Sequence, residues 1–227
     1  REAVRRAHIA PEQVDEVFMG QVLTAGAGQA PARQAAIGAG LPETVPCTTV
    51  NKVCGSGLQA VIIAAQTVLL GDAGIVVAGG MESMSNAPYL LPDARRGYRF
   101  GHHQVTDSMI VDGLWDAFND YHMGITAENV ANKFEIARAD QDAFAYESQQ
   151  KAKKALDAKV FADEIVEVHG VAYENGERKL VPFTVDELPR PETTLDGLAS
   201  LRPVFSAKDS VTAGNASPLS DGAAASL

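Results

Sequence analysis

Apolar runs and short glycine breaks alternate through the first eighty residues. Residues 1–8 read as the end of a helix, and Pro11 can open a short helical turn. Val14, Val17 and Met19, followed by Val22 and Leu23, predict a strand from about Glu16 to Leu23. A loop rich in glycine and alanine, Ala25 to Pro31, leads to a predicted helix Ala32–Ala39 ended by Gly40. A β-prone run, Cys47 to Val53, then meets Gly55 and Gly57, and an apolar helical run, Leu58–Leu70, follows at once. That run is apolar nearly all round, which predicts a helix buried between layers. Gly74 to Gly80 reads as a central strand buried on both faces. Helix and strand in alternation predict an α/β layered domain.

From Asn86 the character changes, with proline, aromatic and charged residues mixed through Phe100. Asp107–Leu114 and Thr126–Phe134 read as helical. Asp140 reads as the N-cap of a long helix from Gln141 to about Lys159, whose Gln149–Lys154 run reads as a solvated face. Two strands, Glu164–His169 and Val171–Pro182, are predicted around the turn-rich Glu174-Asn175-Gly176-Glu177. Thr193 to Asp196 starts a turn of helix, Val211–Ser217 reads as strand then turn, and Asp221 is predicted to open another helix. Residues 1–85 and 202–227 therefore read as one core, and 86–201 as an inserted domain.

Composition narrows the function classes. The 227 residues are 46% apolar and 21% charged, ordinary for a globular chain with a filled core. Formal net charge is −10, which argues against non-specific binding to nucleic acid or to an anionic membrane. No apolar run is read as long enough to span a bilayer, and no secretory signal opens the chain. Two cysteines do not make a disulfide scaffold. The adjacent pair His102-His103 does not converge on one ion, and no cysteine or carboxylate pattern supports it, so no metal site is read there. The chain starts without methionine, inside a predicted helix, and stops inside another predicted helix. It is expected to be a fragment of a longer protein.

The candidate chemistry is Cys54. It sits in the turn Asn51-Lys52-Val53-Cys54-Gly55-Ser56-Gly57 between strand and helix. At a helix N-terminus, unpaired N–H groups and the positive end of the dipole favour a thiolate. The glycines allow close approach of a ligand. On spacing alone, a buried structural cysteine fits this connection equally well.

The run around Cys54 resembles the nucleophile motif of the thiolases. The resemblance continues through Val77-Ala78-Gly79-Gly80-Met81-Glu82-Ser83-Met84-Ser85 and Tyr121-His122-Met123-Gly124-Ile125-Thr126-Ala127-Glu128-Asn129. It reaches Thr212-Ala213-Gly214-Asn215-Ala216-Ser217 and Ser220-Asp221-Gly222-Ala223-Ala224, in the family's order and over nearly the whole chain. It implies an α/β fold layered α/β/α/β/α in the full protein, of which this chain is the N-terminal half with an inserted loop domain. The implied reaction condenses two acetyl-CoA to acetoacetyl-CoA and CoA, or runs in reverse, through an acyl group on Cys54.

The resemblance carries Leu114, His122 and Met123 onto the pantetheine end of the coenzyme A site, Arg190 onto the nucleotide end, and Ala213 and Ser217 onto the lining near the pantetheine. Gly197 stands where related enzymes often use a serine. The Tyr121-His122-Met123-Gly124 form resembles the acetoacetyl-CoA type. A broader-chain 3-ketoacyl-CoA thiolase of fatty-acid β-oxidation, more often with proline in place of His122, is the alternative. No cofactor is implied, since the coenzyme A thioesters are substrates. The implied assembly is a homodimer or homotetramer with the Asn86–His103 arm helping association, in the cytoplasm or, in a eukaryote, the mitochondrial matrix. The Gly-His-Pro, Cys-x-Gly-Gly-Gly and Asn-Glu-Ala-Phe motifs of the family's second half do not occur here. A cysteine hydrolase, a decarboxylating ketoacyl synthase and a non-catalytic assembly module remain as readings of Cys54 from other classes.

Overall fold

Helix and strand alternate through the first half of the chain in the computed structural model, which describes residues 1–206 and 208–227. The elements in order are α1 (Glu2–Arg6), β1 (Glu16–Gly20), α2 (Pro31–Ala39), β2 (Cys47–Val50), α3 (Ser56–Leu70) and β3 (Val76–Ser83). Short strands β4 (Tyr89–Leu90), β5 (Thr106–Asp107), β6 (Trp115–Asp116) and β7 (Tyr121–His122) follow. Then come α4 (Met123–Lys133), α5 (Arg138–Asp157), β8 (Val168–Glu174), β9 (Glu177–Phe183), α6 (Leu195–Ala199) and β10 (Asp221–Ser226). The chain divides into two compact units, Arg1–His122 with Leu219–Leu227, and Met123–Pro218.

The first unit is built on a four-stranded sheet in the order β10-β3-β1-β2. Strands β1, β2 and β3 are parallel. Side chains alternate across β1, as a pleated strand requires. Val17 and Met19 join Val4, Ala32, Ala36 and Val77 in one core cluster beside α2. Phe18 faces the other way and packs with Ala60 and Ala64 of α3. The sheet is thus covered by α2 on one face and α3 on the other, the layering that the alternation predicts.

Three readings of this unit need correction. The segment from Asp221 is a strand, antiparallel to β3, with Asp221 opposite Ser83 and Ser226 opposite Ala78. Alanine favours helix, but here tertiary pairing wins. Gly79 leaves room for it: a Cβ there would lie 2.0 Å from the Ala224 carbonyl oxygen. Helix α3 is not buried all round, because only the face carrying Ser56, Ala60 and Ala64 is covered. Leu58, Leu69 and Leu70 are exposed, Leu69 by 85%. The window Val53–Leu70 is also long and apolar enough to cross a membrane by length and composition. Its helical part is 15 residues, about 22 Å at the α-helical rise, against a hydrocarbon core of about 30 Å.

The second unit combines α4, α5 and α6 with the β8–β9 hairpin. Asn175 and Gly176 both have positive φ, 53° and 83°. This is the conformation that a two-residue Asn-Gly hairpin turn needs. Helix α5 starts at Arg138 with Ala137 as its N-cap, so Asp140 lies in the first turn rather than capping it. Strand β8 begins only at Val168. Of Val211–Ser217, Thr212 alone makes a bridge, to Pro203, and Ala213, Gly214 and Asn215 form a turn. The Gln149–Lys154 run is not simply solvated, since Gln149 and Gln150 bond to the Arg190–Thr193 loop.

Candidate active site

The turn before α3 is held by one buried hydroxyl. Ser56 Oγ accepts the Lys52 N–H at 2.8 Å and donates to the Val53 carbonyl at 2.5 Å. The Val53 N–H in turn donates to Asn51 Oδ1 at 3.0 Å. Val53 has φ of +48°, in the left-handed region. That is an unusual place for a β-branched residue, and it is held only because its surroundings over-determine it. The result is a sharp bend with Cys54 exposed at its tip, one residue before the Gly55 N-cap of α3.

Cys54 lines a cavity of about 400 Å³ with Gly20, Gln21, Val53, Ser56, Gly57, Gly80, Glu82 and Ala223. Parallel pairing sets Gly20 beside Gly80. A Cβ on Gly20 would lie 2.4 Å from the Ser56 carbonyl carbon, so the strand can approach the turn only as glycine. The Glu82 carboxylate accepts the Val22 and Leu23 N–H groups, each at 2.9 Å, and ties the end of β1 to β3. The other cysteine is different in kind. Cys47 Sγ donates to the Val45 carbonyl at 3.3 Å, and burial pushes its thiol up from the ordinary value. Both cysteines are free.

The remaining predicted site residues fall in both units. In the first, Leu114 ends a π-helical turn, Ile110–Leu114, and is half-buried. His122 is half-buried on β7, opposite Trp115 of β6. In the second, Met123 opens α4 and is partly exposed. Arg190 is exposed, and its guanidinium makes no ion pair among the described residues. Its backbone is fixed, with N–H donating to Gln149 Oε1 at 2.8 Å and carbonyl accepting from Thr193 Oγ1 at 2.7 Å. Ala213 and Ser217 are exposed on the turn that follows Thr212. The structure therefore gathers Gly20, Gln21, Ser56 and Glu82 around Cys54, and none of these four is assigned a role by sequence reasoning. Only the strand register brings β1 and β3 to the cysteine, and no local pattern encodes it.

The family model described as the thiolase N-terminal domain matches residues 1–227. The acetyl-CoA acetyltransferase of Pseudomonas aeruginosa is 60% identical over 215 residues, covering 95% of this chain and 54% of that protein. The acetyl-CoA acetyltransferase of Thiocystis violacea is 57% identical over 221 residues, covering 97% of this chain and 55% of its own length. The crystal structure of the Bacillus anthracis acetyl-CoA acetyltransferase aligns with a TM-score of 0.91 at 42% identity, over 99% of this chain and 55% of that one. The chain spans about half the length of the curated relatives it matches.

Proposed function

The chain belongs to the thiolase family, as its N-terminal domain, and on that premise we propose that Cys54 is the acyl carrier of an acetyl-CoA acetyltransferase. In the condensing direction, Cys54 Sγ attacks the thioester carbonyl of acetyl-CoA and the coenzyme A thiolate leaves. The α-carbon of a second acetyl-CoA, once deprotonated, attacks the acyl-cysteine and releases acetoacetyl-CoA and the Cys54 thiolate. A thiolate both attacks and leaves well, so one residue serves both halves. The backbone N–H of Cys54, at the head of α3, is suited to the oxygen on which negative charge develops.

The observation that carries this reading is the exposed Cys54 at the tip of a braced, strained turn, on a cavity lined by Gly20, Gly57 and Gly80. Leu114, His122, Met123, Ala213 and Ser217 are assigned to the pantetheine arm. Arg190, a cation without an ion pair among the described residues of an acidic chain, is assigned to the nucleotide phosphates. The relatives named above support acetyl transfer over long-chain thiolysis. We assign the groups that activate the nucleophile and deprotonate the second substrate to sequence outside these 227 residues. The chain alone is therefore expected to give no useful turnover, and the full-length protein to act as a homodimer or homotetramer.

The test compares acetoacetyl-CoA with a long-chain 3-ketoacyl-CoA on the full-length protein. Preferred cleavage of acetoacetyl-CoA is expected. Preference for the long substrate would move the protein to the β-oxidation thiolases, and absence of both activities would sink the proposal.

A further inference from the structure

The turn that carries Ala213 and Ser217 is irregular, yet two buried carboxylates hold it. Glu128 of α4 is only 4% exposed, and among the described residues its carboxylate pairs with no cation. Its oxygens accept the Ser210 N–H at 3.1 Å, the Ser210 hydroxyl at 2.8 Å and the Val211 N–H at 2.6 Å. Asp142 of α5, also 4% exposed, accepts from Asn215 Nδ2 at 3.0 Å and from Arg138 Nε at 2.7 Å. Asn215 closes the turn by accepting the Thr212 N–H at 2.7 Å and donating to the Ser210 carbonyl at 3.1 Å. Gln141 adds a bond to Ser210 Oγ at 2.9 Å. Two helices thus fix Ser210 to Asn215, the stretch that contains Ala213 and ends two residues before Ser217.

Burying a carboxylate is costly unless hydrogen bonds compensate it. A fold that needed only packing at this position would be served by an apolar side chain. What a carboxylate adds is geometry, because it alone accepts from two successive backbone N–H groups and a hydroxyl at once.

We propose that Glu128 is a positioning residue for the coenzyme A arm: by clamping Ser210 and Val211 it sets the turn from which Ala213 and Ser217 meet the pantetheine. The inference rests on the assignment of Ala213 and Ser217 under the proposed function. It adds a residue that touches no substrate and acts through the turn.

The experiment uses the full-length protein in the thiolysis direction. Glu128→Gln keeps the shape but turns an amide N–H₂ toward the donors of Ser210 and Val211. KM for CoA is expected to rise about tenfold, the loss of a charge-assisted hydrogen bond, with kcat within about twofold. Glu128→Asp, which keeps the carboxylate, is expected to recover part of the affinity. Asn215→Ala, which loosens the same turn from the α5 side, is expected to raise KM in the same way and serves if Glu128→Gln does not fold. Ser217→Ala is the control for the underlying assignment. If Ser217→Ala raises KM and neither Glu128→Gln nor Asn215→Ala does, the positioning role is overturned and the site assignment stands. If Ser217→Ala also leaves KM unchanged, the site assignment falls and the positioning role with it. A fall in kcat or in thermal stability at unchanged KM assigns Glu128 to folding alone and overturns the proposal.

Discussion

The Ser56 hydroxyl donates to the Val53 carbonyl at 2.5 Å while accepting the Lys52 N–H at 2.8 Å, so one oxygen spans the bend that presents Cys54. Ser56→Ala removes both bonds, leaving the Lys52 N–H without the hydroxyl and the Val53 carbonyl with only the Ser56 N–H at 3.0 Å. Stability is expected to fall by about 1–3 kcal/mol. Cys54 is expected to acylate more slowly as Val53 relaxes from its left-handed conformation. Chemical denaturation and the rate of acyl transfer from acetyl-CoA to the full-length protein check the two effects. Normal acylation in a destabilised variant would limit Ser56 to a folding role.

Gly20 sits where a side chain would strike the backbone of Ser56 and Gly57, at 2.4 and 2.5 Å. Gly20→Ala is expected to push the turn off β1 and to cost about 1–3 kcal/mol by overpacking. Loss of Cys54 acylation should accompany it. An alanine variant with wild-type melting temperature and acylation would show that the turn has slack.

The two thiols are expected to separate in labelling. Cys54 is exposed, whereas Cys47 is partly buried, bonded to the Val45 carbonyl and pushed up by burial. Iodoacetamide at neutral pH should modify Cys54 first, and acetyl-CoA should protect it in the full-length protein. Peptide mass spectrometry over a time course checks the order. Equal rates for both cysteines would contradict it.

Asp15 accepts the Ile75 and Gly74 N–H groups at 2.9 and 2.7 Å, and these bonds hold its carboxyl below its ordinary value. A depressed folded value means stability present above the unfolded value, about 3.9, and lost as pH falls through the lower folded one. The melting-temperature gap between wild type and Asp15→Asn should therefore be full near pH 6 and should shrink below about pH 4. A gap that stays constant through this range would contradict the role.

Much of this was legible because period and punctuation agree with the fold. The alternation around Phe18, the glycine ending α2 and the Asn175-Gly176 hairpin each follow from residues close in sequence. What was not legible depends on partners far along the chain. Asp221–Ser226 reads as helix from its alanines, and only Gly79 and Gly80 of β3, some 140 residues earlier, make it a strand. Helix α3 reads as buried from its composition, which cannot say what covers its outer face. Within the site, Cys54 is visible as a thiol between glycines. Gly20 and Glu82 acquire meaning only when the sheet order β3-β1 sets them beside it, and Ser56 only when its bonds to Lys52 and Val53 are seen. Glu128 and Asp142 look like ordinary helical acids until their donors on Ser210 to Asn215 are seen.

The most direct measurement is mass spectrometry of the full-length protein after brief exposure to acetyl-CoA. One acetyl group is expected on the peptide containing Cys54 and none on that containing Cys47 once the two are resolved. The modification should disappear on adding CoA, and Cys54→Ser should abolish it together with turnover. Turnover that persists in Cys54→Ser, or acetyl transfer that never reaches Cys54, would contradict the assignment of Cys54 as acyl carrier.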